Sequence, residues 1–512
     1  MLVKTFSAAV FGIDAVTVTI EVDVTRGVRY MLVGLPDAAV KESQQRIESA
    51  LRAVGLHWPG RQVIINMAPA DIRKEGASYD LPLAVGILVA SGMISGARLE
   101  GLLLTGELSL DGTLRPVRGV LPMALQAREA GFREMIVPAS NAPEAAVVEG
   151  LDVYGVNSLT DVLALLKGES SAEPLRIDLN ALFNREGNTY DADFSDVRGQ
   201  ENVRRALEVA VAGSHNAVLL GPPGSGKTMM ARRLTGILPP LTLEEALETT
   251  KIHSVAGKMD SHLPLMTRRP FRSPHHTSSD IALIGGGSVP QPGEISLAHN
   301  GILFLDELPE FRRNVLEVLR QPLEDRVITV ARARMSCTFP ASVMLIASMN
   351  PCPCGFYNHP SKACTCGPGM VQKYMSRISG PLLDRIDIHI EVVPVDYKNL
   401  AGAAPAESSA RIRERIVRAR DIQSSRFAGS EGIHCNAMMT PPMIRRHCHL
   451  DDTGERLLRA AMERRGLSAR AWDRILKVAR TIADLDSTEN IRPEHLSEAI
   501  NYRNLDREGW AG

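Results

Sequence analysis

The sequence predicts a multi-domain α/β protein, with an α+β domain at the N-terminus, an α/β core and a helical domain at the C-terminus. Three observations predict this arrangement. Residues 217–234 read as a short apolar strand, a glycine-rich turn and a helix, which is the strand–loop–helix order of an α/β domain. Residues 1–165 alternate short strand-like runs with helical runs, and from Arg411 onward the apolar spacing is helical.

The division of the chain follows from its length and its breaks. With 512 residues, the chain is long enough for two or three domains. Polar and small residues over 166–192 indicate a linker, and a run of Ala, Gly and Pro over 401–406 marks a second break. We therefore expect domains over residues 1–165, 193–396 and 397–512.

The N-terminal domain carries both kinds of periodicity. Residues 17–24 alternate with a period of two, which is typical of a half-exposed strand. Residues 41–54 have the apolar spacing of a helix, and residues 63–67 are a second strand candidate.

The glycine-rich turn of the core has the pattern of a nucleotide phosphate loop. Its glycines let the backbone wrap around phosphates with N–H groups pointing inward, and the next helix presents its positive end to the same anion. The lysine would reach the β- and γ-phosphates and the threonine would ligate Mg²⁺. The predicted loop consists of Gly221, Pro222, Pro223, Gly224, Ser225, Gly226, Lys227 and Thr228.

A second motif supports the first. Residues 301–305 form an apolar strand that ends in Asp306 and Glu307. Asp306 fits the acid on the metal side of a Walker B motif, and Glu307 fits the base that orients the attacking water. Together the two motifs predict hydrolysis of ATP or GTP, with Mg²⁺ held by Thr228 and Asp306.

The core resembles the AAA+ ATPases, beginning with residues 193–200, which resemble the segment that borders the adenine pocket in that family. The resemblance implies sensor 1 at Asn350, after an apolar strand, and a trans-acting arginine finger at Arg385, for which a surface salt bridge is the alternative and Arg377 the next candidate. It implies sensor 2 at Arg470, with Arg474 one turn further as the competing residue. A finger that acts in trans implies a homo-oligomer, and the family implies a hexameric ring.

The segments between the Walker motifs are more specific. Residues 269–277, 283–287 and 292–300 resemble the YifB/ComM family of magnesium-chelatase-like AAA+ proteins, and this resemblance spans nearly the whole chain. In that clade the stretch that contains these three segments is an insertion in the second helix. Residues 326–334 resemble the hairpin that precedes sensor 1. Both insertions point into the ring pore of related helicases, so Arg332 and Arg334 are candidate DNA contacts. His275 and His276 are read as part of the insertion, with metal ligation as the alternative.

The resemblance implies a function and leaves rivals. ComM members are ring ATPases that move branched DNA junctions in natural transformation, which implies branched or single-stranded DNA as the partner. The first rival is an ATP-driven chaperone of the magnesium-chelatase type, for metal insertion or protein remodelling. The second rival is a Lon-like ATP-dependent protease.

The N-terminal domain bears on the protease alternative. Residues 74–82 resemble the serine motif of Lon-type proteases, with Ser78 at the serine position, and residues 105–112 resemble the strand that follows it. Lon-type enzymes need a lysine to deprotonate the serine. Met123 stands where that lysine is expected, and Arg118 stays protonated. We therefore predict a Lon-like fold without protease activity, used for assembly or substrate docking.

A cysteine cluster follows sensor 1. Cys352 and Cys354 form one C-x-C pair, and Cys364 and Cys366 form another. Two such pairs suit a small tetrahedral Zn²⁺ site, although C-x₂-C is the usual spacing and His359 could replace one thiolate. Free thiols and redox disulfides remain as alternatives.

Composition sets outer limits on the partners and the location. The net charge is −1 and charged residues make up 23% of the chain, so a DNA-binding surface must be a local basic patch or a pore. The N-terminus lacks the pattern of a signal peptide, and no apolar run is long enough for a membrane span. With seven cysteines and no such signal, we expect a cytoplasmic protein.

Overall fold

The computed structural model describes residues 1–186, 192–260, 263–287, 289–332, 335–359, 361–394, 406–430, 432–503 and 505. The strands are β1 Leu2–Phe11, β2 Asp14–Thr25, β3 Tyr30–Val33, β4 Gln62–Ala68, β5 Leu102–Leu104, β6 Glu107–Leu108, β7 Leu114–Arg115, β8 Glu134–Pro138, β9 Asp152–Val156, β10 Ala217–Leu220, β11 Phe271–Arg272, β12 Gly285–Gly286, β13 Gln291–Pro292, β14 Ile302–Leu305, β15 Val327–Arg332, β16 Met335–Pro340, β17 Met344–Met349 and β18 Ile388–Glu391.

The helices of the first half are α1 Ala38–Lys41, α2 Ser43–Ala53, α3 Asp80–Ala90, α4 Val120–Glu129, α5 Ala142–Ala145, α6 Leu159–Lys167, α7 Leu179–Glu186, α8 Glu201–Gly213, α9 Lys227–Arg233 and α10 Leu243–Val255. Those of the second half are α11 Asp280–Ile284, α12 Glu294–Leu297, α13 Arg313–Val318, α14 Arg320–Asp325, α15 Pro368–Met375, α16 Gly380–Leu383, α17 Ser409–Arg426, α18 Pro441–His447, α19 Asp452–Arg465, α20 Ala469–Leu485 and α21 Pro493–Asn501. Within the described ranges, no helix combines the length and the apolar character needed to cross a membrane.

The first 156 residues build a seven-stranded mixed sheet in the order β3-β4-β2-β1-β5-β8-β9. The alternation predicted for residues 17–24 is confirmed, because Val18, Ile20, Val22 and Val24 are all buried in β2. Helix α3 is buried along its whole length, and it packs on β1 and β2. The apolar side chains of α3 therefore supply much of the hydrophobic core between this helix and the sheet.

The helix predicted over 41–54 is confirmed as α2, Ser43–Ala53, and the short helix α1 precedes it, ending at Lys41 with Asp37 capping its first turn. One sequence prediction differs from the structure in this half. The segment predicted as a linker, 166–192, contains helix α7. The reason is that Leu179, Leu182 and Phe183 recur at helical spacing and pack against a buried apolar cluster that includes residues of α4 and α10.

The predicted α/β core, residues 193–396, contains a five-stranded sheet in the order β11-β14-β17-β10-β18. Every neighbouring pair of strands in this sheet is parallel. Strand β10 leads into the phosphate loop, β14 leads into Asp306, and β17 leads into Asn350. Because parallel strands present their carboxyl ends at one edge, these three segments meet there.

Two antiparallel hairpins extend from this core. Strands β12 and β13 pair over Gly285–Gly286 and Gln291–Pro292, and β15, Val327–Arg332, pairs with β16, Met335–Pro340. The N-terminal part of the chain contacts the core close to these hairpins. Lys251 lies 3.0 Å from Asp14 in an ion pair, and the Ser254 hydroxyl donates to Glu144 at 2.7 Å.

The C-terminal helices pack against α8, with α17 and α20 as its main neighbours. The contact contains buried polar groups as well as an apolar face. Arg415 of α17 donates to Glu208 of α8 at 2.6 Å, and the Gln423 amide donates to the Ala212 carbonyl at 3.0 Å. The helical pattern predicted from Arg411 onward corresponds to α17 and the helices that follow it.

Candidate functional site

The phosphate loop is a tight turn between β10 and α9. Gly224 and Gly226 adopt φ values of +77° and +88°, a region where a side chain would be strained. Gly226 precedes α9 directly, so the loop N–H groups and the start of the helix face the same space. This is the backbone arrangement that the glycine-rich sequence predicts.

Lys227 is folded into this loop. Its Nζ donates to the carbonyls of Gly221 and Pro222 at 2.7 and 2.9 Å, and to Asn350 Oδ1 at 3.1 Å. Burial lowers the pKa of Lys227, while the nearby carboxylates of Asp306 and Glu307 work in the opposite direction. The structure therefore joins the predicted phosphate-binding lysine to the predicted sensor 1 side chain.

An oxygen-rich corner lies beside the lysine. Thr228 Oγ1 donates to Asp306 Oδ2 at 2.7 Å, and the Ser348 hydroxyl donates to the other oxygen of the same carboxylate. Hydroxyl and carboxylate oxygens are ligands suited to Mg²⁺, which keeps water and phosphate oxygens in its remaining positions. Sequence reasoning missed Ser348, although a buried serine in an otherwise apolar strand was a usable signal.

Glu307 is positioned by its backbone. It has a φ of +53°, and its N–H donates to Asp306 Oδ1 at 3.1 Å. Its side chain is 55% exposed, and its Oε2 lies 3.5 Å from His276 Nδ1. Sequence reasoning placed His276 in an insertion and missed this pairing, which joins residues far apart in the chain. No metal-ligating cluster among the described residues includes His275 or His276.

The candidate finger Arg385 is mostly buried. Its guanidinium pairs with Glu324 of the same chain and donates to the Pro381 carbonyl at 2.7 Å. Glu324 could not be recognised from the sequence, because it lies 61 positions away. Arg377, the next candidate for the finger, is 52% exposed and lies 3.0 Å from Glu310.

The two sensor 2 candidates have different environments. Arg470 lies in the first turn of α20 with an exposed side chain. Arg474, one turn later, pairs with Asp387, a buried residue next to β18. Burial opposes ionisation of Asp387, but Arg474 and His215 outweigh it and hold the pKa of this carboxyl well below its usual range. Arg474 therefore fastens α20 to the core sheet.

The two insertions meet at Arg332. This residue is exposed at the end of β15, and its Nε donates to the Gly287 carbonyl at 3.4 Å. A Cβ added to Gly286 would lie 2.7 Å from its guanidinium, so the two hairpins are in close contact. The second candidate DNA contact, Arg334, lies outside the described residues.

The four cysteines after Asn350 converge. Cys352 Sγ lies 3.3 Å from Cys354 Sγ and 3.7 Å from Cys364 Sγ, and the Cys354 and Cys364 sulfurs are 3.5 Å apart. With Cys366, the four sulfurs lie within 4.8 Å of one another and could hold a metal ion. His359 is not part of this group, and its Nδ1 accepts backbone N–H groups from Ser361 and Lys362.

The Lon-like serine lies in a pocket of about 410 Å³. Met123, at the position expected for the lysine, lines the same pocket as Ser78, and so does Arg118. Pro290 and Cys337, from the two core hairpins, form part of its wall. Ser78 and Met123, which occupy the two positions of the Lon Ser–Lys dyad, therefore line one pocket.

The family models match in three consecutive parts. Residues 193–400 match the model described as magnesium chelatase, subunit ChlI, and residues 20–141 match subunit ChlI of Mg-chelatase. Residues 406–503 match the C-terminal part of magnesium chelatase subunit ChlI.

Curated relatives resemble the chain over nearly its whole length. It is 44% identical over 503 residues to the uncharacterized protein YifB of Salmonella typhimurium, covering 98% of this chain and 96% of that protein. It is 44% identical over 508 residues to the competence protein ComM of Haemophilus influenzae, with 98% and 97% covered. Lon protease 2 of Bacillus subtilis is 27% identical over 143 residues, which are 27% of this chain and 25% of that protein. On the strength of the full-length identities and the three matched models, the chain belongs to the YifB/ComM family of magnesium-chelatase-like AAA+ proteins.

Proposed function

We propose that this chain is a ring-forming AAA+ ATPase that couples ATP hydrolysis to DNA remodelling, as a branch-migration helicase in natural transformation or recombination. Membership of its family implies the use of ATP and Mg²⁺. The observation that carries the DNA proposal is the meeting of the two core insertions at the exposed Arg332. The 44% identity to a competence protein agrees with it.

In this proposal residues 1–165 form a Lon-like domain without protease activity, and residues 166–192 connect it to the ATPase core. Residues 193–396 form that core, and residues 397–512 form a helical lid. The phosphate loop residues 221–228 bind the nucleotide phosphates, with Arg470 as the sensor on the lid side.

The chemistry follows from the groups at the sheet edge. Mg²⁺, held by Thr228 and Asp306, would supply positive charge to the β- and γ-phosphates. Lys227 adds a buried positive charge, and its amine is held by the Gly221 and Pro222 carbonyls and by Asn350. Glu307, with its exposed side chain, would orient water and accept its proton. Each of these residues acts on the same phosphate, because the carboxyl ends of β10, β14 and β17 are adjacent.

The full-length protein, incubated with ATP and either forked or four-way-junction DNA, should unwind or migrate the junction in a gel assay. The Glu307→Gln variant should bind the same DNA without converting it. Absence of ATP-stimulated DNA binding by the wild type at low salt would favour the chaperone alternative, which the magnesium chelatase family models support. The protease alternative is disfavoured because Met123 cannot act as a base toward Ser78.

Alanine at both Arg332 and Arg334 should weaken DNA binding at least about ten-fold, since each arginine that contacts a phosphate contributes to counterion release. The slope of log affinity against log salt should become shallower by about 0.9 for each phosphate that is no longer neutralised. Fluorescence anisotropy with labelled DNA at several salt concentrations measures both quantities.

The matched control for this pair is Arg61→Ala with Arg128→Ala, which removes the same charge from exposed positions of the N-terminal domain. The control should leave DNA affinity unchanged. Normal junction unwinding by the Arg332/Arg334 variant would show that DNA is gripped elsewhere.

Arg385→Ala should lower ATPase activity at least about ten-fold, because a finger stabilises charge that develops on the phosphate of a neighbouring subunit. Mixing Arg385→Ala with Lys227→Ala protein should restore part of the activity, since each variant supplies the group that the other lacks. Steady-state phosphate release at varied mixing ratios gives the measurement.

The ion pair with Glu324 provides the control for a purely structural role. Glu324→Gln removes the ion pair but keeps the arginine, so it should retain ATPase activity if Arg385 acts on the nucleotide. If Arg385→Ala and Glu324→Gln lose equal ATPase activity, and mixing with Lys227→Ala restores none, Arg377 becomes the candidate for the finger.

We also propose that the four cysteines hold one structural Zn²⁺. Tetrahedral zinc with Zn–S bonds of about 2.3 Å requires sulfurs about 3.8 Å apart. The sulfur–sulfur separations of 3.3–3.7 Å approach this value and are far longer than a disulfide bond of about 2.05 Å. Four thiolates around one centre favour zinc over a hard cation such as Mg²⁺.

A further inference from the structure

The cysteine cluster is joined directly to the ATP site. Cys352 is two residues beyond Asn350, whose amide oxygen accepts from Lys227. Cys352 is itself fully buried, although the cysteines after it are only partly covered. The cluster therefore begins inside the core, at the carboxyl edge where the phosphate loop lies.

A second contact fixes the cluster against the loop itself. Gly355, the residue after Cys354, has a φ of +82°, and a Cβ there would lie 2.4 Å from Pro223 Cδ. The backbone of the cluster segment is thus packed against the ring of a phosphate-loop proline. Gly221 and Pro222 also line a small cavity together with Pro351, Gly355 and Tyr357.

The segment from 353 to 367 has little apolar burial to hold it in this position. Among its described residues, only Gly355 is buried, and the others are half-buried or exposed. Backbone N–H groups of Phe356 and Thr365 donate to Cys354, and the N–H of Cys366 donates to Cys364. Such N–H···S bonds suit thiolate ligands. A loop as exposed as this one buries too little apolar surface to offset the entropy lost when its backbone is ordered.

We infer that metal bound by the four cysteines acts as a brace for the phosphate loop, so that zinc occupancy sets the affinity for ATP. This inference rests on the zinc site proposed above. With Zn²⁺ bound, Gly355 stays packed against Pro223, and Asn350 keeps its hydrogen bond with Lys227. Without Zn²⁺, the segment 353–367 loses its fixed conformation, and the phosphate loop loses these contacts on one side.

The first experiment compares metal content and nucleotide affinity in the full-length protein. Elemental analysis after chelator-free purification under reducing conditions should give about one zinc per chain, consistent with a single four-thiolate site. The double variant Cys364→Ser with Cys366→Ser should lose the metal and bind a fluorescent ATP analogue at least about ten-fold more weakly, because small displacements of positioning groups have large effects. Cys448→Ala, at a buried cysteine outside the cluster, should change neither quantity.

The second experiment separates the brace from metal binding. Gly355→Ala keeps all four cysteines but places a methyl group against Pro223. It should retain about one zinc per chain, since its ligand set is intact, and still bind the ATP analogue at least about three-fold more weakly. Gly429→Ala is the matched control, because Gly429 has the same φ of +82° with nothing within 4 Å. It should behave as the wild type.

The possible outcomes are distinct. Wild-type protein without zinc would overturn the zinc site itself. Loss of zinc from the double cysteine variant with unchanged ATP affinity would overturn the brace and leave the zinc site standing. Wild-type ATP affinity in Gly355→Ala would show that the Pro223 contact carries no coupling. As a check on folding, chelator-treated wild type should regain ATP affinity when Zn²⁺ is returned.

Discussion

Glu307→Gln should bind ATP and fail to hydrolyse it, with turnover reduced at least about a hundred-fold, the range over which a general base accelerates reactions. The substitution removes the carboxylate that accepts a proton but keeps the backbone N–H bond to Asp306 that positions the residue. The neighbouring groups Lys227, Thr228 and Asp306 stay intact, so the affinity for ATP should persist. Phosphate release and binding of a fluorescent ATP analogue measure the two effects separately.

A suitable control is Glu317→Gln, which changes a glutamate on α13 that pairs locally with Arg320. Its turnover should equal that of the wild type. Turnover near the wild-type rate in Glu307→Gln would assign the base to another residue, and simultaneous loss of ATP binding would indicate a structural defect instead.

Lys227→Ala should weaken ATP binding by about 10- to 150-fold and abolish hydrolysis, since a hydrogen bond to a charged group contributes about 1.5–3 kcal/mol. The lysine is buried at 9% exposure, and its amine is oriented by two loop carbonyls and Asn350. No other lysine follows the loop closely enough in sequence to replace it. Titration with a fluorescent ATP analogue measures the affinity.

The control for this variant is Lys167→Ala, at an exposed residue that ends α6. Its ATP affinity should not change. Undiminished ATP binding by Lys227→Ala would place the phosphate contacts on the loop backbone alone.

The sequence allowed the phosphate loop and the Walker B acids to be predicted because each is a short, continuous run with its own strand. The sensor 1 position could be predicted at Asn350 for the same reason, because this residue follows another apolar strand. The pairings His276–Glu307 and Arg385–Glu324 could not be predicted, since each depends on tertiary packing between distant segments. The cysteine spacing predicted a cluster, but its contact with Pro223 depends on the fold.

The N-terminal domain shows the same limit at the level of strands. Alternation predicted strand β2, but the sheet order β3-β4-β2-β1-β5-β8-β9 depends on pairings that no local pattern specifies. Helix α7 escapes prediction for another reason. Its apolar spacing at Leu179, Leu182 and Phe183 is present, but the Gly- and Ser-containing flanks of the segment favour a linker.

In the proposed ring, the ion pair between Arg474 and Asp387 would link events at two different nucleotides. Asp387 is two residues from Arg385, and two residues of extended chain span only about 7 Å. A shift of helix α20 therefore pulls on the same short segment that carries the candidate finger. In the proposed ring, α20 belongs to the lid over a subunit's own ATP, while Arg385 would serve the ATP of its neighbour. Opening of one lid would then displace the arginine that serves the ATP of the next subunit. Sequential ATP hydrolysis around a ring requires a mechanical connection of this kind.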